Sequence, residues 1–149
     1  MIRRPGRVAR RRLRGQAIVW AAVMFPLFLS VVGLAVDVSV AFDARRELQN
    51  VADAAARAGA MQVDQQTYRA SSGKTVVLDQ TAARQVAAEY IAEQGVGDTA
   101  MVAVEPQRVV VEVSRDVPTS FLRLVGISTV RVSAVATAAA RYGISGPNP

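Results

Sequence analysis

The sequence predicts an α+β fold in which a long N-terminal transmembrane helix continues outside the bilayer, followed by a second helix and a small three-stranded, mainly antiparallel sheet. Three observations lead there. Ala17 to Val36 form twenty consecutive residues without a charge, about 30 Å of helix at 1.5 Å per residue, which matches the hydrocarbon core of a bilayer. From Ala41 to Ala58 small apolar residues recur at spacings of three and four, the helical period. From Ala100 onward the period changes to two, as strands require.

The flanks of the apolar run orient it. Arg3, Arg4, Arg7, Arg10, Arg11, Arg12 and Arg14 precede it, whereas Asp37 follows it and no basic residue appears again until Arg45. Positive charge beside a span is retained on the cytoplasmic side, so the N-terminus is expected inside and Asp37 onward outside. Trp20, three residues into the run, suits an anchor at the cytoplasmic headgroups. Pro26 removes a backbone donor in mid-span and is expected to bend the helix, which a membrane span tolerates. The boundaries that follow are a cytoplasmic basic arm over 1–16, the span over 17–36, an extracytoplasmic domain over 37–142 and a disordered tail over 143–149.

The net charge of +6 reads at first like a nucleic-acid partner, but seven of the eighteen basic residues lie in the first fourteen positions. The rest carries eleven basic and twelve acidic groups, a net of −1. A basic arm against a membrane span is explained by topology and anionic headgroups, and no aromatic-interleaved basic face accompanies it. No nucleic-acid partner is expected. Cysteine is absent, so packing alone must stabilise the domain. Histidine is absent too, which removes the commonest general base and metal ligand together. The chain is therefore read as non-enzymatic, without cofactor, metal or small-molecule substrate.

Beyond Asp37 the helical pattern runs on, since no glycine or proline intervenes before Gly59. Ala41, Ala44, Leu48, Val51, Ala55 and Ala58 form a seam of mostly small residues, while Asp43, Arg46, Glu47, Asn50, Asp53 and Arg57 make the wet side. Asp53 and Arg57 are placed as an i, i+4 ion pair. The seam has two candidate partners, a neighbouring subunit's helix or the chain's own sheet. Gly59 to Gly73 reads as a polar connector, with Ser71-Ser72-Gly73 its clearest breaker. The second helix is capped by Asp79 or Thr81, buries Ala83, Val86, Ala87, Tyr90 and Ile91, and stops at Gly95.

Val102 and Val104, then Val109, Val111 and Val113, alternate as two strands joined through Glu105-Pro106-Gln107 into a hairpin. Pro118, Thr119 and Ser120 open a short helical turn over Phe121 to Val125, which Gly126 ends. Val130, Val132, Ala134, Ala136 and Ala138 resume the alternation as a third strand.

Read together, Arg14-Gly15-Gln16-Ala17 opening the apolar run, Pro26-Leu27 within it, Val36-Asp37-Val38 closing it and Leu48-Gln49-Asn50-Val51-Ala52-Asp53-Ala54-Ala55-Ala56 beyond it resemble the TadE/TadG-like proteins of bacterial Tad, or Flp-type, pilus systems. The resemblance covers about residues 14–61. It implies a pilin-like, minor or assembly component anchored in the bacterial inner membrane, with other pilus or secretion-system subunits as partners through the long helix. It also ties Leu48, Gln49, Asn50, Ala52, Asp53, Ala55 and Ala58 to the family motif and to helix packing. Family members with prepilin-type processing carry a glutamate five residues after the glycine that precedes the cut, where this chain has Trp20 after Gly15. A permanently anchored component is the expectation. The alternative is a secreted soluble protein whose long signal sequence is cut after Ser39-Val40-Ala41.

Two readings compete for Asp37: the first polar residue past the bilayer, or a partner for a neighbouring subunit's arginine. Glu89, Glu93, Asp98, Glu105, Glu112 and Asp116 lack calcium-loop spacing and read as solvated surface, and Ser71-Ser72-Gly73-Lys74-Thr75 lacks the upstream glycine and strand of a phosphate loop. Topology is directly testable. A periplasm-active reporter fused after Tyr142 should be active and the protein should resist carbonate washing; an inactive fusion or release by carbonate contradicts the orientation.

Overall fold

Leu48 and Val111, 63 positions apart in the sequence, are wholly buried and belong to one apolar cluster that joins helix to sheet. The structure, a computed structural model, describes residues 9–140. Its elements in order are helix α1 (Ala9–Ala60), a short helix α2 (Gln65–Ala70), helix α3 (Gln80–Gln94), strand β1 (Thr99–Glu105), strand β2 (Arg108–Pro118), a 3-10 turn (Leu122–Val125) and strand β3 (Thr129–Ala139). The fold is α+β, as the change of period implies. By contacts the described chain forms two units, residues 9–39 with 119–128, and residues 40–118 with 129–140.

In the second unit the strands form an antiparallel meander, β1-β2-β3. Glu105 pairs with Arg108 across a two-residue turn, Pro106-Gln107, so the expected hairpin link is the observed one. In the other ladder Val113 faces Ala134 and Val111 faces Ala136. Large residues on the central strand thus sit beside small ones on β3. Val109, Val111, Val113 and Val117 of β2 and Val132, Ala134 and Ala136 of β3 are buried, while Glu112, Asp116, Arg131, Ser133, Val135 and Thr137 between them are exposed. One face is covered and the other wet, the pattern of an antiparallel sheet packed on one side.

What covers it is the seam of α1 together with α3. Ala44, Leu48, Val51, Ala52, Ala55, Ala56 and Ala60 are buried in the same cluster as the sheet valines and as Ala83, Ala87 and Ile91 of α3. Of the two candidate partners for the seam, the chain's own sheet and helix take it. The buried stripe is also turned slightly from the expected one: Ala52 and Ala56 lie fully inside, whereas Ala58 is half-buried. A 3.6-residue period drifts against a strict seven-residue repeat, and the stripe follows the helix. At the crowded end, a Cβ on Gly59 would stand 2.9 Å from the Ala83 carbonyl oxygen and 3.3 Å from the Ala87 Cβ. Glycine there lets the two helices close.

Asp79 caps α3 by accepting from the Thr81 and Ala82 N–H groups, and Gly95 ends it in the left-handed conformation at φ 60°. Thr81 is capped rather than capping. The connector holds an element the pattern does not reveal. Asp64 accepts from the Gln66 and Thr67 N–H groups and from the Thr67 hydroxyl, and this caps six residues of α2, none of which is buried. With no apolar face, α2 has no period to betray it. Val63 and Leu78 pair as an isolated bridge, closing the segment at its base.

The burial of α1 within its own domain predicts which substitutions hurt. Ala55 has no exposed surface and Asn50 is exposed, and overpacking a core typically costs about 1–3 kcal/mol whereas a surface change stays within about 0.5 kcal/mol. Ala55→Leu should lower the urea midpoint of the detergent-solubilised protein and Asn50→Leu should not; equal midpoints would contradict this packing. Cysteine introduced at Ala55 should cross-link poorly between subunits, because the position is closed.

Candidate functional site

The first unit is a helix with one loop held against it. Every described side chain of α1 from Gln16 to Val32 is exposed, and most are large and apolar. Residues 16–60 contain a stretch long and apolar enough to cross a membrane. A helix apolar all round and covered by nothing of its own is suited to lipid. Trp20 is exposed, and Pro26 stands within the unbroken helix. Arg10, Arg11, Arg12 and Arg14 lie on the first turns of α1, but their side chains, together with residues 1–8 and the tail 141–149, lie outside the described residues.

Between Gln16 and Ser39 two residues of the helix are buried, Gly33 and Asp37, one turn apart on the same face. Against that face lies the segment 119–128. The Asp37 carboxylate accepts three backbone N–H groups: Ser120 at 2.8 Å through Oδ1, Phe121 at 2.9 Å and Leu122 at 2.7 Å through Oδ2. These are the donors that a helical turn leaves without internal partners at its start. The turn has no cap from its own N-terminal residue, Phe121. A carboxylate 83 residues away in the chain supplies it.

Two further features hold the segment. The Phe121 ring lies where a side chain at Gly33 would stand, so any larger residue there overlaps it. Thr119 is buried, its N–H donates to the Ser128 carbonyl, and its hydroxyl bonds the Ile127 carbonyl. Gly126, at φ 92°, ends the turn and donates to the Arg123 carbonyl. The segment is a closed loop clamped at Asp37. Neither sequence reading of Asp37 describes this: it is not merely the first polar residue, and its partners are backbone amides of its own chain.

In the second unit the remaining motif residues are structural. Leu48, Ala52 and Ala55 are core. Gln49 donates to Asp53 Oδ1 at 3.4 Å and to the Val135 carbonyl at 3.3 Å, tying α1 to β3. Asp53, half-buried, therefore takes Gln49 rather than the expected Arg57. Glu47 instead meets Arg115 of β2 at 2.9 Å. Asp116 and Arg131, opposite each other in the ladder, form a two-bond pair at 2.8 Å. The bond from Arg131 holds the Asp116 carboxyl below the ordinary aspartate range and the Arg131 guanidinium above its own. Both are on the wet face, where such pairs contribute little. Among the described residues no cluster of acidic side chains could hold a metal ion.

The helix that carries both the exposed apolar stretch and this buried stripe is also where the chain is similar to known proteins. Residues 15–62 match the family model of putative Flp pilus-assembly TadE/G-like proteins. The match ends two residues after α1 does, and it contains Gly33, Asp37, Leu48, Ala52 and Ala55. No curated protein and no solved structure matches the chain. The TadE/G-like segment thus provides the clamp residue Asp37, while the loop it holds lies outside the matched residues.

Because the clamp is one carboxylate on three amides, its removal has a local signature. Asp37→Ala leaves those three donors without acceptors, a costly state for buried groups. In detergent, trypsin should cut the variant at Arg123 several-fold faster than the wild type, with the sheet's circular dichroism unchanged. An unaltered cleavage rate would show that the loop holds without the carboxylate.

Proposed function

We propose that this chain is a permanently anchored, single-span component of a bacterial Tad/Flp-type pilus or related secretion machine, acting as a minor pilin-like or assembly subunit. Its N-terminal arm lies in the cytoplasm, its span crosses the bacterial inner membrane once and its α+β domain lies outside, where it meets other subunits of the system. The role is structural rather than catalytic. The observation that carries the reading is the coincidence of the TadE/G-like match over residues 15–62 with a helix that is exposed and apolar over its first part and packed on its own domain over its second. The arginine arm and the absence of positive charge beyond Asp37 support the orientation.

Retention of the span is supported against the secreted alternative by α1 itself. The helix runs unbroken through Ser39, Val40 and Ala41, and a cut there would remove the carboxylate on which Ser120, Phe121 and Leu122 depend. Deleting the chain should abolish surface Flp-type pili, and the intact gene should restore them. Intact mass from restored membranes should include the arginine arm. Normal piliation without the chain would overturn the role, and a mass beginning at Gln16 or Phe42 would overturn permanent anchoring in favour of prepilin-type processing or secretion.

A further inference from the structure

The clamped segment 119–128 is an odd loop for water. Loops that face solvent are usually polar, yet Leu124 is 83% exposed, Val125 73%, Ile127 46% and Phe121 41%. No other part of the chain among its described residues covers them. Their position along α1 identifies the environment. Phe121 sits on Gly33, and Leu122, Leu124 and Val125 share an open groove of about 380 Å³ with Leu29, Ser30 and Leu34. Leu29 lies eight residues before Asp37, about 12 Å of helix, and belongs to the uncharged run of Ala17 to Val36.

From these we infer that segment 119–128 dips into the outer leaflet beside the span, with Phe121, Leu124, Val125 and Ile127 among the acyl chains. The inference rests on the reading of residues 17–36 as membrane-spanning. Continuity decides the occupant: the same lipid that covers Leu29 and Leu34 of the span reaches the loop residues lining the groove with them.

Seven of the segment's ten backbone N–H groups have an acceptor within the protein, which suits hydrocarbon, where unpaired amides are costly. The N–H groups of Ser120, Phe121 and Leu122 go to Asp37, that of Thr119 to Ser128, Leu124 to Phe121, Gly126 to Arg123, and Ile127 to Leu122. The Thr119 hydroxyl is also paired, with Ile127. Arg123 is exposed on the same turn, and its long stem lets the guanidinium reach headgroup phosphates while its neighbours remain in the chains. Asp37 is then the device that lets an irregular segment enter the leaflet: it replaces the water that would otherwise satisfy the first amides of the turn.

The absence of native cysteine allows single labels. The full chain, carrying an environment-sensitive fluorophore at Leu124→Cys, Val125→Cys, Phe28→Cys or Thr137→Cys, is reconstituted in phosphatidylethanolamine–phosphatidylglycerol vesicles with and without nitroxide-tailed lipid. Labels at 124 and 125 should be quenched by that lipid several-fold more than the label at Thr137, an exposed strand position, and comparably to Phe28 in the span. Quenching at 28 but not at 124 or 125 overturns the inference and leaves the span intact. A label at 124 shielded from aqueous iodide yet unquenched by the lipid means that a protein partner covers the loop, which also overturns it. No quenching at 28 overturns the span reading and this inference together.

Discussion

The packing of α1's small-residue face against the valines of β2 and the alanines of β3 is the interaction on which the domain depends. Leu48, Ala52 and Ala55 have no exposed surface, nor do Val109, Val111 and Val113. The helix offers mostly Ala on this face, and α3 meets it near Gly59 with alanines of its own, Ala83 and Ala87. A core of small side chains gains less per residue from burial than one of leucines. It compensates with the length of the buried stripe, from Ala44 to Ala60, where added bulk is the characteristic hazard.

The same helix presents opposite chemistry before and after Asp37. Ahead of that residue every described side chain but Gly33 is exposed and the sequence is uncharged from Ala17 to Val36; after it, one stripe is buried and the opposite side carries Asp43, Arg45, Arg46 and Glu47. Asp37 stands at the change. A carboxylate at a helix position facing a loop would be a liability if unpaired, since burying a charge without partners is costly. Three converging amides convert it into a fixed attachment point, and no buried polar side-chain atom among the described residues lacks a partner.

Much of this architecture is legible in the amino-acid sequence, and the parts that are share a physical cause. The uncharged run, the three-four spacing of Ala44, Leu48, Val51 and Ala55, the alternation of Val109, Val111 and Val113, and the stops at Gly95 and Gly126 are all local consequences of where apolar groups and left-handed residues must fall. Short elements without a buried face escape that logic, which is why α2, held by the Asp64 cap alone, reads as connector.

The sequence by itself determined the two longer helices and the three strands, the candidate span with its charge asymmetry and the similarity of residues 15–62 to the TadE/G-like model, because periodicity, hydropathy and motif spacing are properties of neighbours along the chain. Only the tertiary structure decided the partner of the α1 stripe, the strand order and the role of Asp37. A stripe of small apolar residues suits either a neighbouring helix or the chain's own sheet, and its spacing does not choose between them. The acceptor for Ser120, Phe121 and Leu122 stands 83 to 85 positions earlier, and backbone amides, being the same in every residue but proline, leave no mark in a sequence to say which carboxylate they will find.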